Sequence, residues 1–85
     1  MINNCIIPIN SDEDRDRIYQ ILLKQPKLRM MYPIDNTGYK KSKCFYIINY
    51  NIRYALDISA VQEFFTELKI INLHEIFIEK ELYED

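Results

Sequence analysis

The sequence predicts a single α+β domain over residues 1–85, and three observations carry that prediction. Two stretches, opening at Ser11 and at Ser59, join a capping hydroxyl to apolar residues at helical spacing. Short β-branched or aromatic runs, bounded by Asn, Pro, Asp and Gly, lie before, between and after them. At 85 residues, with 48% apolar and 28% charged positions, the chain has room for one hydrophobic core and the composition of a globular domain.

Residues 4–9 read as a first strand, apolar and closed by Asn10 and Ser11. Ser11 then opens a helix, because SDED sets a capping hydroxyl three positions before Asp14 and puts acids where the helix dipole favours them. Ile18, Ile21, Leu22 and Gln25 follow at helical spacing and Pro26 stops the run, so the helix is expected over residues 12–25. Residues 28–32 alternate, with Leu28, Met30 and Tyr32 on one side and Arg29 and Met31 on the other, before Pro33 and DNTG supply turn residues. A hairpin return is expected over residues 43–49. Both of its faces are apolar or aromatic, Cys44, Tyr46, Ile48 and Tyr50 against Phe45 and Ile47, the pattern of a central strand covered on both sides. At NYN the chain either bends into another strand over residues 52–58 or continues as one long strand. Ser59 with Gln62 forms a second capping box, and Val61, Phe64, Phe65 and Leu68 make the buried stripe of a helix ending near Lys69. In LHEIFIEKEL, Ile76, Phe77 and Ile78 favour a closing edge strand over a helical turn.

The resulting order, β-α-β-β-(β)-α-β, is that of a ferredoxin-like split βαβ sandwich: an antiparallel sheet with two helices on one face. The other face would carry some of Met31, Phe45, Ile47 and Phe77, and a homodimer would hide that apolar surface from water.

Several function classes are excluded or disfavoured. No apolar run approaches the length of a bilayer span, and the first ten residues lack a charged segment before their apolar patch, so neither a membrane segment nor a signal peptide is expected. Cys5 and Cys44 are too few for a disulfide scaffold and lack metal-ligand spacing, which makes the reducing cytoplasm the expected compartment. They fall on neighbouring strands, as small buried residues that approach each other. With Gly38 as its one glycine, the chain cannot write a phosphate-cradling loop. His74 has only Glu75 beside it as a second ligand, and the acids of SDEDRD are explained by helix capping. No metal, cofactor or catalytic set is expected, so the chain is read as a non-enzyme.

Charge is segregated along the chain. Residues 1–23 hold two arginines against four acids, and residues 57–85 hold two lysines against eight acids. Between them, residues 24–56 hold seven cations against Asp35 alone. Pairing the two central strands is expected to bring Lys27 and Arg29 towards Lys40, Lys41 and Lys43, with Arg53 nearby, in one positive cluster that neutralises phosphates. Tyr39, Phe45 and Tyr46 are interleaved with these cations and are the rings expected to stack unpaired bases.

Within this region KCFYIINY, residues 43–50, resembles a degenerate third-strand motif of RNA-recognition-motif domains, [KR]-G-[FY]-[GA]-[FY]-V-x-[FY]. Lys43, Phe45 and Tyr50 match and Ile48 stands in for Val, whereas Cys44, Tyr46 and Ile47 depart from it. CIIPIN lacks the aromatic of the companion first-strand motif. The abundance of Ile, Asn, Lys and Tyr also resembles the coding bias of AT-rich genomes, small phage reading frames among them.

The first expectation is therefore a cytoplasmic, homodimeric regulatory protein that binds RNA or single-stranded nucleic acid. The alternative is a protein-binding inhibitor of the anti-defence, antitoxin or immunity type, which blocks a host nuclease, a toxin or another nucleic-acid enzyme. Its acidic final third would imitate phosphate.

Overall fold

The computed structural model describes residues 2–34 and 36–72 of the chain. Its best-announced element is α1, Asp12–Leu23, where the Ser11 side chain accepts a hydrogen bond from the Asp14 amide at 3.1 Å, as SDED predicts. The helix closes two residues sooner than expected, with Lys24 as its C-cap. One face buries Ile18, Ile21 and Leu22. Each apolar side chain so removed from water stabilises the fold by about 1.5–3 kcal/mol.

Arg15 lies buried on α1 with every guanidinium nitrogen engaged. Its Nε donates to Ser42 Oγ at 3.2 Å, its Nη2 to the Ser42 carbonyl at 2.8 Å, and its Nη1 to Asp12 Oδ1 at 2.7 Å. Ser42 is the C-cap of α2, Thr37–Lys41, so one side chain ties the two helices together. This second helix stands where a turn was expected. Asn36 of DNTG serves as its N-cap, accepting from the Tyr39 amide at 2.8 Å. Gly38 is inside the helix and has no positive φ; a Cβ there would lie 3.3 Å from Asn36 Oδ1 and 3.4 Å from a Tyr54 ring carbon, so close approach is its use.

The sheet contains β1 (Cys5–Pro8), β2 (Arg29–Met30), β3 (Cys44–Ile48), β4 (Asn51–Ala55) and β5 (Lys69–Ile70), in the order β2-β4-β3-β1-β5. β3 pairs antiparallel with both β1 and β4, whereas β1 with β5 and β2 with β4 are parallel pairs. The fold is thus mixed α+β, and two expectations for it are corrected. β2 and β3 do not form a hairpin, because α2 fills the connection and β2 runs instead beside β4. The sheet is also not wholly antiparallel: among the described strands β3 alone runs against the rest.

A third correction concerns the layers. Alternation along β1, β3 and β4 sends Cys5, Ile7, Phe45, Ile47 and Ile52 to the face covered by α1 and α2. It sends Ile6, Cys44, Tyr46, Ile48 and Ala55 to the opposite face, where they meet Ile58, Val61 and Phe65 of the α3 region, α3 being Ile58–Phe64. Helices therefore lie on both faces and not on one. The cause is legible in β3: with Cys44, Phe45 and Ile47 all 0% exposed, both of its sides need a cover. Cys5 and Cys44 accordingly point to opposite faces, and the approach expected of them does not occur. Of the apolar surface assigned to a dimer, Phe45 and Ile47 are in the core, Met31 is exposed, and Phe77 lies outside the described residues.

β3 and β4 are joined at NYN by a bend. Ile48 pairs with Asn51, so Asn49 and Tyr50 alone make the turn, both at positive φ, 50° and 67°. That is the pattern of a type I′ hairpin, whose twist matches that of the strands. At the far end of β4 the cap of α3 is Asp57, accepting from the Ser59 amide, and not Ser59. The helix also ends early, at Phe64, and Phe65 turns out of it. The expected stripe is cut short: Val61 and Leu68 are buried, but Phe64 is 80% exposed.

Lys69–Ile70, at and just beyond the expected helix end, forms β5, and the Ile71 amide donates to the Ile6 carbonyl at 2.8 Å. The strand expected around Ile76, the His74–Glu75 pair and the acidic end lie outside the described residues. No helix among the described residues is long and apolar enough to cross a membrane.

Phe45→Ala is expected to lower the unfolding free energy by about 3–5 kcal/mol and Phe64→Ala by less than about 0.5 kcal/mol, read from urea denaturation midpoints. Equal losses would contradict the layer assignment.

Candidate nucleic-acid interface

Of the six cations expected to gather, five are held at two ends of the sheet and Arg53 lies between them on β4. Arg29 pairs with Asn51, beside the Asn49–Tyr50 turn, and its amide donates to the Tyr50 carbonyl at 3.0 Å. Lys27, just before it, sets its ammonium 5.8 Å from the centre of the Tyr50 ring. At the opposite end Lys43 donates its amide to the Ala55 carbonyl at 2.8 Å, and Lys40 and Lys41 stand in the last turn of α2. Four residue steps of β4 separate the two ends, about 13 Å at roughly 3.3 Å per residue. The single cluster predicted from strand pairing therefore does not form, because the pairing it assumed, β2 with β3, is not the one present.

Arg53 belongs with the turn-end group. It projects from the middle of β4, opposite Tyr46 on β3, on the same face as Arg29, whose partner Asn51 lies two residues before it. Arg29 and Arg53 are thus diagonal neighbours on adjacent strands. The Nε of Arg53 is buried and finds no hydrogen-bond partner among the described residues. No acid occurs in residues 24–34 or 43–56, so these segments themselves carry positive charge only. The other group differs: Lys40 lines a recess of about 290 Å³ together with Asp12, Asp16, Arg15, Ile34 and Tyr39. Two carboxylates there offset its charge.

The rings are redistributed more sharply. Tyr39 and Phe45, expected to be open for stacking, are 6% and 0% exposed and lie under α1 and α2. Tyr39 packs edge-on against Tyr19 and Tyr54, at 5.8 and 5.7 Å between ring centres, and its hydroxyl donates to Asp16 Oδ1 at 3.2 Å. Tyr46 is half-buried, 6.0 Å from Phe65. The resemblance to the RNA-recognition motif fails at the same place, since that motif needs its rings on the open sheet face and Phe45 points into the core. Tyr50, its last matching residue, is in the turn and not on the strand. It is 37% exposed and is the ring the cation argument passed over. A two-residue NY turn between alternating strands was the available signal.

Burial is also what shifts the two perturbed groups. It pushes the Tyr39 hydroxyl up to about 12, with the nearby Asp16 charge and hydrogen bond adding to it. It pushes the Cys44 thiol up to about 11, against a backbone hydrogen bond that favours the thiolate, so Cys44 is a poor nucleophile at neutral pH. No protein-family model, curated protein or solved structure matches the chain.

A Tyr39 hydroxyl that holds its proton more firmly folded than unfolded stabilises the fold below pH 10, and that contribution is lost as pH rises towards 12. Phenolate absorbance is expected to contain a component near pH 12 that Tyr39→Phe removes. The same substitution should flatten the fall in stability between those two pH values; an unchanged titration curve would refute the assignment.

Proposed function

We propose that the chain is a small non-catalytic regulatory protein that binds RNA or single-stranded nucleic acid through the turn end of its sheet. Lys27, Arg29 and Arg53 are the phosphate-neutralising residues in this reading; Lys40, Lys41 and Lys43 are not. The observation that carries it is the placement of Lys27 and Arg29 at the turn end of the sheet, with Arg53 two residues along β4 on the same face as Arg29, and with no acid in the segments that bear them. By neutralising phosphates they would displace the cations condensed on the nucleic-acid backbone, which supplies affinity without base identity. Arginine in particular offers a planar donor fork to phosphate and a flat face to a base.

A second reading rests on a different surface. Phe64 and Leu56, 80% and 60% exposed, lie at the two ends of the α3 segment, and aromatic anchors of this kind favour a protein partner. It corresponds to an inhibitor that covers a nuclease or toxin. Assembly into a homodimer is compatible with either surface.

A salt titration of a labelled single-stranded RNA separates the two. Binding is expected to weaken steeply with salt, and the logarithmic slope should fall by about 0.7 for each of Lys27 and Arg29 changed to alanine. The triple change of Lys40, Lys41 and Lys43 to alanine should leave that slope unchanged. A slope that falls only with the triple change would place the contact at the other end. A complex with a nuclease that is insensitive to salt and lost with Phe64→Ala would favour the inhibitor.

A further inference from the structure

Tyr50 occupies a backbone position that its side chain makes costly. Asn49 and Tyr50 both sit at positive φ in the two-residue turn, and the left-handed region penalises every side chain with a Cβ. Asn tolerates that region through its short polar side chain, and the second turn position is where glycine is ordinarily found. The chain has tyrosine there instead. An exposed cation–π contact such as that from Lys27 returns less than the conformation costs. Packing does not explain it either, since the ring is 37% exposed and belongs to neither hydrophobic cluster.

The surroundings nevertheless hold this strained residue in place from three sides. The Tyr50 amide donates to Asn3 Oδ1 at 2.9 Å, and the Asn49 amide donates to Asn4 Oδ1 at 3.2 Å. Asn4 is itself at positive φ. The Tyr50 carbonyl accepts from the Arg29 amide at 3.0 Å. A strained backbone fixed by specific partners, carrying an exposed ring among cations, marks a site where the ring's position matters more than stability.

We infer that Tyr50 is the base-stacking residue of this surface, held ready by the Asn3, Asn4 and Arg29 hydrogen bonds to take an unpaired base while Lys27 and Arg29 meet the adjoining phosphates. This rests on the nucleic-acid reading above and gives it the platform that Tyr39 and Phe45, both buried, do not provide. The ligand class is a flexible single strand, because a paired base has no face to offer an isolated ring at a turn. A ring fixed before binding loses little freedom on binding, which is the advantage that offsets the strain.

The test compares wild type with Tyr50→Gly and Tyr50→Phe, using fluorescein-labelled oligouridylate and its deoxythymidylate counterpart as probes. Tyr50→Gly is expected to melt at the same temperature or higher, because glycine relieves the left-handed strain. It should also bind either strand about 5- to 150-fold more weakly, the loss of one stack, with the salt slope kept. Tyr50→Phe keeps the π face and should restore binding. If Tyr50→Gly binds like wild type while Lys27→Ala still lowers the salt slope, the stacking role is wrong and the nucleic-acid reading stands. If Tyr50→Gly melts lower and binding falls only in proportion to unfolding, the ring is structural and the inference is overturned. Wild type that binds neither strand at low salt overturns both.

Discussion

The need to cover both faces of β3 governs the molecule. Cys44, Phe45 and Ile47 leave no side of this strand fit for water, and Tyr46 and Ile48 extend its apolar character on the α3 face. A strand of that kind must sit between neighbours and beneath two layers. β1 and β4 flank it, α1 with α2 closes one face and α3 the other, and β2 and β5 are left as two-residue edges. Short edges of this kind also limit unwanted strand pairing with other chains.

A second contact decides where the charge goes. Arg15 reaches from α1 to Ser42 and so fixes the end of α2 above the start of α1. A buried guanidinium is tolerable only when its donors are met, and Ser42 Oγ, the Ser42 carbonyl and Asp12 meet them. Through this clamp Lys40 is brought beside Asp12 and Asp16, while Lys27 and Arg29, at the other end of the sheet's length, belong to a segment whose sequence carries no acid. Tyr39 is pinned beneath the clamp, its ring 6.0 Å from the Arg15 guanidinium carbon. A ring used this way is a hub of the core and not a surface for bases.

The turn end contrasts with that rigidly satisfied region. Its conformation is costly, its hydrogen bonds come from two asparagine side chains of the first few residues, and its cations are unpaired with acid in sequence. Local departures from the cheapest choice of residue tend to fall where function and stability compete. Here the departure is a tyrosine at the turn position that glycine fills at no cost.

Sequence by itself determined the features whose causes lie within a few residues of each other. The Ser11 cap, the α1 stripe from Ile18 to Leu22, the first strand and the double-sided character of β3 are all local patterns, and all are present. The segregation of acids and bases is likewise a property of the chain. Tertiary structure alone decided which strands are neighbours, which face receives α3, and hence that Arg29, beside Asn51, and Lys43, bonded to Ala55, stand four β4 residues apart, about 13 Å along the sheet at roughly 3.3 Å per residue. Those outcomes depend on contacts between distant residues, such as Arg15 with Ser42 and Arg29 with Asn51, which no periodicity encodes. The same holds for Tyr39 and Phe45: an aromatic in a basic stretch reads alike whether it faces water or core, and only the packing of α1 and α2 over the sheet settled which.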